Sequence, residues 1–201
     1  TALEILKGDL ASYLAALGRV YYASDSAQDA TVLGQTSFAT TTPTFLLNLP
    51  VTTSHQNTAQ PVAIIPLYMS LQQAGTVAGG AITVIMEFDN AARFSTGGTA
   101  ETVFNAKTAG TRFTQSATMY SGATATDAYG IPAARWLVGQ DISTAEGAVN
   151  EIVWTPQQGY DFLVPTAAVG ASWAVFTYAA TPGPTWLWTF KWGEIPIEWL
   201  P

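Results

Sequence analysis

Trp186-Leu187-Trp188-Thr189-Phe190-Lys191-Trp192 is the stretch that decides the fold. Large aromatics hold every second position, and successive side chains of a β-strand point to opposite faces. Trp186, Trp188, Phe190 and Trp192 therefore project from one face, and Leu187, Thr189 and Lys191 from the other. Each large aromatic buries on the order of 150–250 Å². Three places suit such a stripe: the core of a β-sandwich, a subunit interface, where aromatics are enriched, or a sugar-stacking platform built on Trp186, Trp188 and Trp192. The stripe has no polar residue on its own face to fix sugar hydroxyls, which weakens the last and leaves the core as the leading reading.

Working outward, the same period-two grammar recurs. Val20-Tyr21-Tyr22-Ala23 opens a first strand. A Thr-rich run from Thr36 to Thr44 leads into Phe45-Leu46-Leu47-Asn48-Leu49. Val62 to Gln72 is a long apolar run broken by Pro66, which suggests an edge position or a bulge. Ala81 to Asp89 (AITVIMEFD) is rich in β-branched residues. Ile152–Trp154, Tyr160–Val164 and Ser172–Tyr178 read as later strands. Residues 51–60 and Gly75–Gly80 read as loop and turn. Residues 90–130 are rich in Thr, Ala and Gly and read as short strands with long loops, at the rim of the domain or against a neighbour. About eight to ten strands with turn signals between them predict an all-β chain, a β-sandwich or jelly roll.

One segment breaks the pattern. Leu3, Leu6, Leu10, Tyr13, Leu14 and Leu17 recur at helical spacing, with Gly18 as a stop. Residues 1–18 are thus an N-terminal helix or arm, packed on its own domain or on a neighbouring subunit. Residues 19–201 form a single β-sandwich or jelly-roll domain with a C-terminal tail. That tail keeps Trp199 and Leu200 to its end, although chain ends are usually polar unless tied down. Leu6, Leu10, Tyr13, Trp199 and Leu200 are the candidate subunit contacts.

Composition restricts function. The chain has seven basic and fourteen acidic residues among 201, with Trp 7, Tyr 8 and Phe 9. An ordinary soluble domain is about a quarter charged. A surface so poor in charge suits contact with other protein. The net charge of −7 and the scattered cations Lys7, Arg19, Arg93, Lys107, Arg112, Arg135 and Lys191 argue against direct nucleic-acid binding. No uninterrupted apolar segment is long enough to form a transmembrane helix. Thr1-Ala2-Leu3-Glu4 has no basic n-region and does not read as a signal peptide.

Catalytic chemistry is sparse. His55 is the single histidine and sits in a polar loop, and there is no Cys. One His without Cys leaves mainly carboxylates for a zinc site, and no G-x-S-x-G frames a nucleophile. Glu87 and Asp89 share a strand face, an arrangement from which a glycosidase draws an acid and a base, although a solvated strand end is the plainer reading. Asp25 and Asp29 fall in a turn without the EF-hand pattern. Gly79-Gly80 and Gly97-Gly98 lack a phosphate-loop frame. Glu194 and Glu198 flank Ile195-Pro196-Ile197 with no evident partner. The expectation is a protein that is not an enzyme and needs no cofactor.

The Thr/Ala/Gly-rich strands over about residues 19–192, with Pro43–Pro50 (PTFLLNLP) and Gly75–Asp89 (GTVAGGAITVIMEFD), resemble bacteriophage virion proteins. The resemblance implies a β-sandwich or jelly-roll subunit repeated on a capsid, as a coat, decoration or minor capsid protein. Its partners would be copies of itself and other virion proteins. It carries over no functional residue. The alternative is a carbohydrate-binding sandwich, lectin-like or receptor-binding, acting extracellularly or at a surface.

Overall fold

The computed structural model describes residues 10–25, 31–50, 61–74, 81–126, 130–138, 151–156, 170–180 and 183–199. The expected strand at Tyr160–Val164 lies outside these residues, as do His55, Asp29, Leu6 and Leu200.

The described residues form an all-β sandwich of two main antiparallel sheets with a helix on its outside. Sheet A runs in the order β12 (Glu151–Trp154), β4 (Val62–Ala74), β14 (Thr185–Pro196), β1 (Val20–Ser24), β8 (Phe104–Asn105), with the short β2 (Val32–Leu33) beside the start of β14. Sheet B runs β11 (Ile131–Val138), β5 (Ile82–Asp89), β13 (Ala171–Tyr178), β3 (Phe45–Leu49), β9 (Thr118–Ser121), β7 (Thr99–Ala100). A separate pair, β6 (Phe94–Thr96) and β10 (Thr124–Ala125), forms a small two-stranded sheet. Its Phe94 and Ala125 pack with Leu46, Tyr120 and Ala174 of sheet B.

The aromatic stripe fills the core. Trp186, Trp188, Phe190 and Trp192 are all buried among residues of both sheets. Phe45 of β3 lies 5.2 Å from Trp188, ring centre to ring centre, and Trp173 of β13 lies 4.9 Å from Phe190. These tilted and edge-on pairs add to plain area burial. No ring face of the stripe is open, so Trp186, Trp188 and Trp192 offer no stacking platform.

Pro66 sits where a missing backbone N–H is tolerated. Lys191 opposes Tyr68 while Trp192 opposes Pro66, so Leu67 is an extra residue, a β-bulge. β12 pairs with β4 only from Met69 to Gln72 and does not reach Pro66. The bulge also switches which residues face inward. Met69 and Leu71 lie in the core on one side of it, Val62 and Ile64 on the other.

Among the described residues the helix is α1 (Leu10–Ala16). Gly18, at φ 75°, ends it. Arg19 N–H bonds the Leu14 carbonyl and Gly18 N–H the Ala15 carbonyl, both at 2.9 Å, the Schellman pattern. Leu14 packs on Val20, Ala63, Ile65 and Ile195, so α1 covers part of sheet A of its own domain.

β11 is the strand that the sequence does not announce. Gly130, Pro132 and Arg135 interrupt its period, and the pairing with β5 shifts between Pro132 and Ala134. The Thr-rich run Thr36–Thr44 contributes no strand; β3 begins at Phe45.

Candidate functional site

The densest polar arrangement lies at one end of the sandwich, around Glu194. On β14 it continues the alternation of the aromatic stripe, so its carboxylate points inward and is fully buried. Ser116 N–H donates to both carboxylate oxygens, at 3.0 and 2.8 Å, and Ala117 N–H to one, at 3.0 Å. The Trp192 indole N–H donates at 3.1 Å. Burial pushes the Glu194 carboxyl above its ordinary range, and the donors from Ala117, Ser116 and Trp192 oppose that rise.

The groups around Glu194 come from distant parts of the chain. The Arg19 guanidinium is nearly buried, 3.9 Å from the centre of the Phe113 ring and 5.0 Å from that of Trp199. Burial lowers its pKa, against the pull of Tyr21 and Glu194. Tyr21 donates its hydroxyl to the Phe113 carbonyl at 3.2 Å, and Asn105 Nδ2 donates to the carbonyls of Gly18 and Phe113. Burial raises the Tyr21 phenol well above its usual value, and Glu194 adds to the rise. The helix end, the 113–117 segment and the C-terminal strand are thus tied at one point. The sequence shows no partner for Glu194 because most of its donors are backbone groups some 77 and 78 residues away. One local signal pointed to it: Glu194 is two residues beyond Trp192, on the stripe's own face.

The residues expected to touch neighbouring subunits divide. Leu10 is half-buried against the helix–sheet cluster of its own domain. Tyr13 is 38% exposed and Trp199 49% exposed. Larger exposed apolar side chains occur elsewhere. Ile131 and Leu137 on β11 are 69% and 72% exposed, and Val153 on β12 is exposed too. β11 and β12 each end a sheet. They lie along the same margin, because Trp154 of β12 reaches Trp173 and Phe88 of sheet B at 5.6 and 5.9 Å.

Glu87 and Asp89 do share the outer face of sheet B. Asp89 is engaged by Arg93, whose Nε donates at 2.6 Å. Partial burial and the neighbouring Asp89 push the Glu87 carboxyl up, against a hydrogen bond from the Gly130 backbone. Arg93 neutralises one acid of the pair and leaves the other half-buried beside Thr40, Ser172 and Phe176 in a shallow depression. Asp25 lines a second depression with Thr31, Thr99, Glu101 and Ser121. Among the described residues no three His, Cys, Asp or Glu side chains converge as metal ligands. No helix among them is long and apolar enough to cross a membrane.

No protein-family model, no curated protein and no solved structure matches this chain.

Proposed function

We propose that this chain is a structural subunit of a virion, built on a jelly roll and held in place by contacts with copies of itself. The observation that carries the reading is the strand order. β1-β14-β4-β12 lie side by side in sheet A, and β3-β13-β5-β11 in sheet B. The chain visits them in alternation: β1 in A, β3 in B, β4 in A, β5 and then β11 in B, β12 in A, β13 in B, β14 in A. Eight strands wound between two sheets in this way suit a jelly roll, an architecture used by viral capsid and lectin domains and by cupins.

A fold alone does not assign a function. Two further features favour the capsid use. Only 10% of the residues are charged, and three exposed apolar side chains, Ile131, Leu137 and Val153, lie along one margin of the sandwich. Open sheet margins are where chains add to one another. On β11, Pro132 and the register shift blunt backbone pairing, so the contact would run through side chains. Several such weak contacts per subunit suffice, because each makes the next effectively intramolecular. Electron microscopy of the purified chain tests the reading: regular shells, rings or sheets support it, and separate monomers at high concentration overturn it.

A further inference from the structure

Helix α1 covers only one half of the outer face of sheet A, over Ala63, Ile65, Val20 and Ile195. The other half carries half-exposed and exposed side chains, and the strand register fixes their order. Phe104 on β8 opposes Tyr22 on β1, Tyr22 opposes Lys191 on β14, and Lys191 opposes Tyr68 on β4. One row of side chains therefore crosses four strands, about 14 Å from end to end at the usual strand spacing. Tyr22 and Phe104 stack with centroids 5.4 Å apart, and the Lys191 ammonium lies 5.1 Å from the centre of the Tyr68 ring. The next row is Ser24, Thr189, Ser70 and Val153, and beyond it come Leu187, Gln72 and Glu151. Every residue of these rows is half-exposed or exposed. The side chains of Ser24, Ser70, Thr189 and Gln72 make no hydrogen bond within the protein among the described residues.

We infer that this half-face binds a glycan. The aromatic residues of this row, Phe104 stacked on Tyr22 and Tyr68 beside the Lys191 ammonium, offer partly exposed apolar surface to the C–H groups of sugar rings. A parallel row of unpaired hydroxyls and an amide offers both donors and acceptors, which is what sugar hydroxyls require. The same row disfavours a protein partner at this place. An apolar protein surface would bury Ser24, Ser70, Thr189 and the Lys191 ammonium without hydrogen bonds, at a cost for each. A single-stranded nucleic acid also stacks on aromatics, but it needs a track of cations for its phosphates. Here the rows supply one cation, Lys191, and one carboxylate, Glu151. The inference does not rest on the virion reading, since it concerns one face of one subunit.

Calorimetric titration with cellohexaose, chitohexaose and maltohexaose tests it on the full chain. At least one of the three is expected to bind, with little dependence on salt. Phe104→Ala and Tyr68→Ala are each expected to weaken that binding about tenfold, the scale of losing one stacking contact. Ile131→Ser, on the far sheet, should leave it unchanged. Backbone amide shifts of the wild type on titration, confined to β1, β4, β8 and β14, locate the site without any variant. The inference is overturned if none of the three sugars binds, or if binding survives both aromatic substitutions. It is equally overturned if poly(U) binds this face instead with a steep salt dependence, or if the aromatic substitutions abolish self-association and leave sugar binding intact.

Discussion

Glu194 and Trp192 stand two residues apart on the same face of β14, and the indole N–H of one donates to the carboxylate of the other across 3.1 Å. A charged group is thus carried inward at the end of an aromatic stripe and held there by N–H donors from Ser116, Ala117 and Trp192. Buried charge is tolerated only when paired or fully hydrogen-bonded. Removing the acceptor strands its donors. Glu194→Ala is expected to cost about 2–4 kcal/mol of stability, from several buried N–H groups left without partners. Denaturant unfolding checks this, with a change in midpoint at constant slope as the expected form.

The same carboxyl makes stability depend on pH. Its folded-state pKa lies above the ordinary value near 4.5. Between the ordinary and the raised value the folded state binds more protons than the unfolded state, so stability falls as pH rises through that window. Below the ordinary value the contribution is fully present. Unfolding free energy measured upward from pH 4.5 should decline in the wild type. Glu194→Gln, which cannot titrate, should lack that part of the slope; an unchanged slope in the variant would place the titration elsewhere.

Core and surface tryptophans should differ sharply. Trp186→Ala empties a fully buried site in the stripe and is expected to cost about 3–5 kcal/mol. Trp199→Ala removes a half-exposed ring whose partner is the Arg19 guanidinium, and should cost about 1 kcal/mol or less. Thermal unfolding of the two variants separates the roles.

Gly18 is required by its backbone. At φ 75° a side chain is strained, and a Cβ would lie 3.0 Å from the Thr111 carbonyl. Gly18→Ala is expected to cost about 1–2 kcal/mol, by loosening the turn that joins α1 to β1. Equilibrium unfolding measures it.

Much of the fold was legible in the sequence, because the decisive signals are local. The alternation at Trp186–Trp192 reports a strand with one buried face, Leu10 and Leu14 report the buried side of a helix, and Pro66 reports an edge or a bulge, of which the structure has the bulge. β11 was not legible, because Pro132 and Arg135 break its period on a half-exposed margin. Nor was the switch of facing at Leu67, since a bulge depends on the partner strand. The surroundings of Glu194 depend on backbone groups from residues 116 and 117, which no local pattern brings near. The row Phe104–Tyr22–Lys191–Tyr68 draws on four strands and exists only once their register is set.

Ile131 and Leu137 hold the largest exposed apolar positions on β11. Because they are exposed, Ile131→Ser and Leu137→Ser should leave stability within about 0.5 kcal/mol. They should nevertheless weaken association of the subunits, as sedimentation velocity would show by a shift toward the monomer.

The central claim is that this chain assembles with copies of itself. Multi-angle light scattering over a concentration series, with electron microscopy of the same samples, tests it most directly. The account predicts a mass that rises to a defined multiple of 21.3 kDa, with regular particles of uniform size. A mass that stays at that of one chain throughout the series, with no particles in the images, would contradict it.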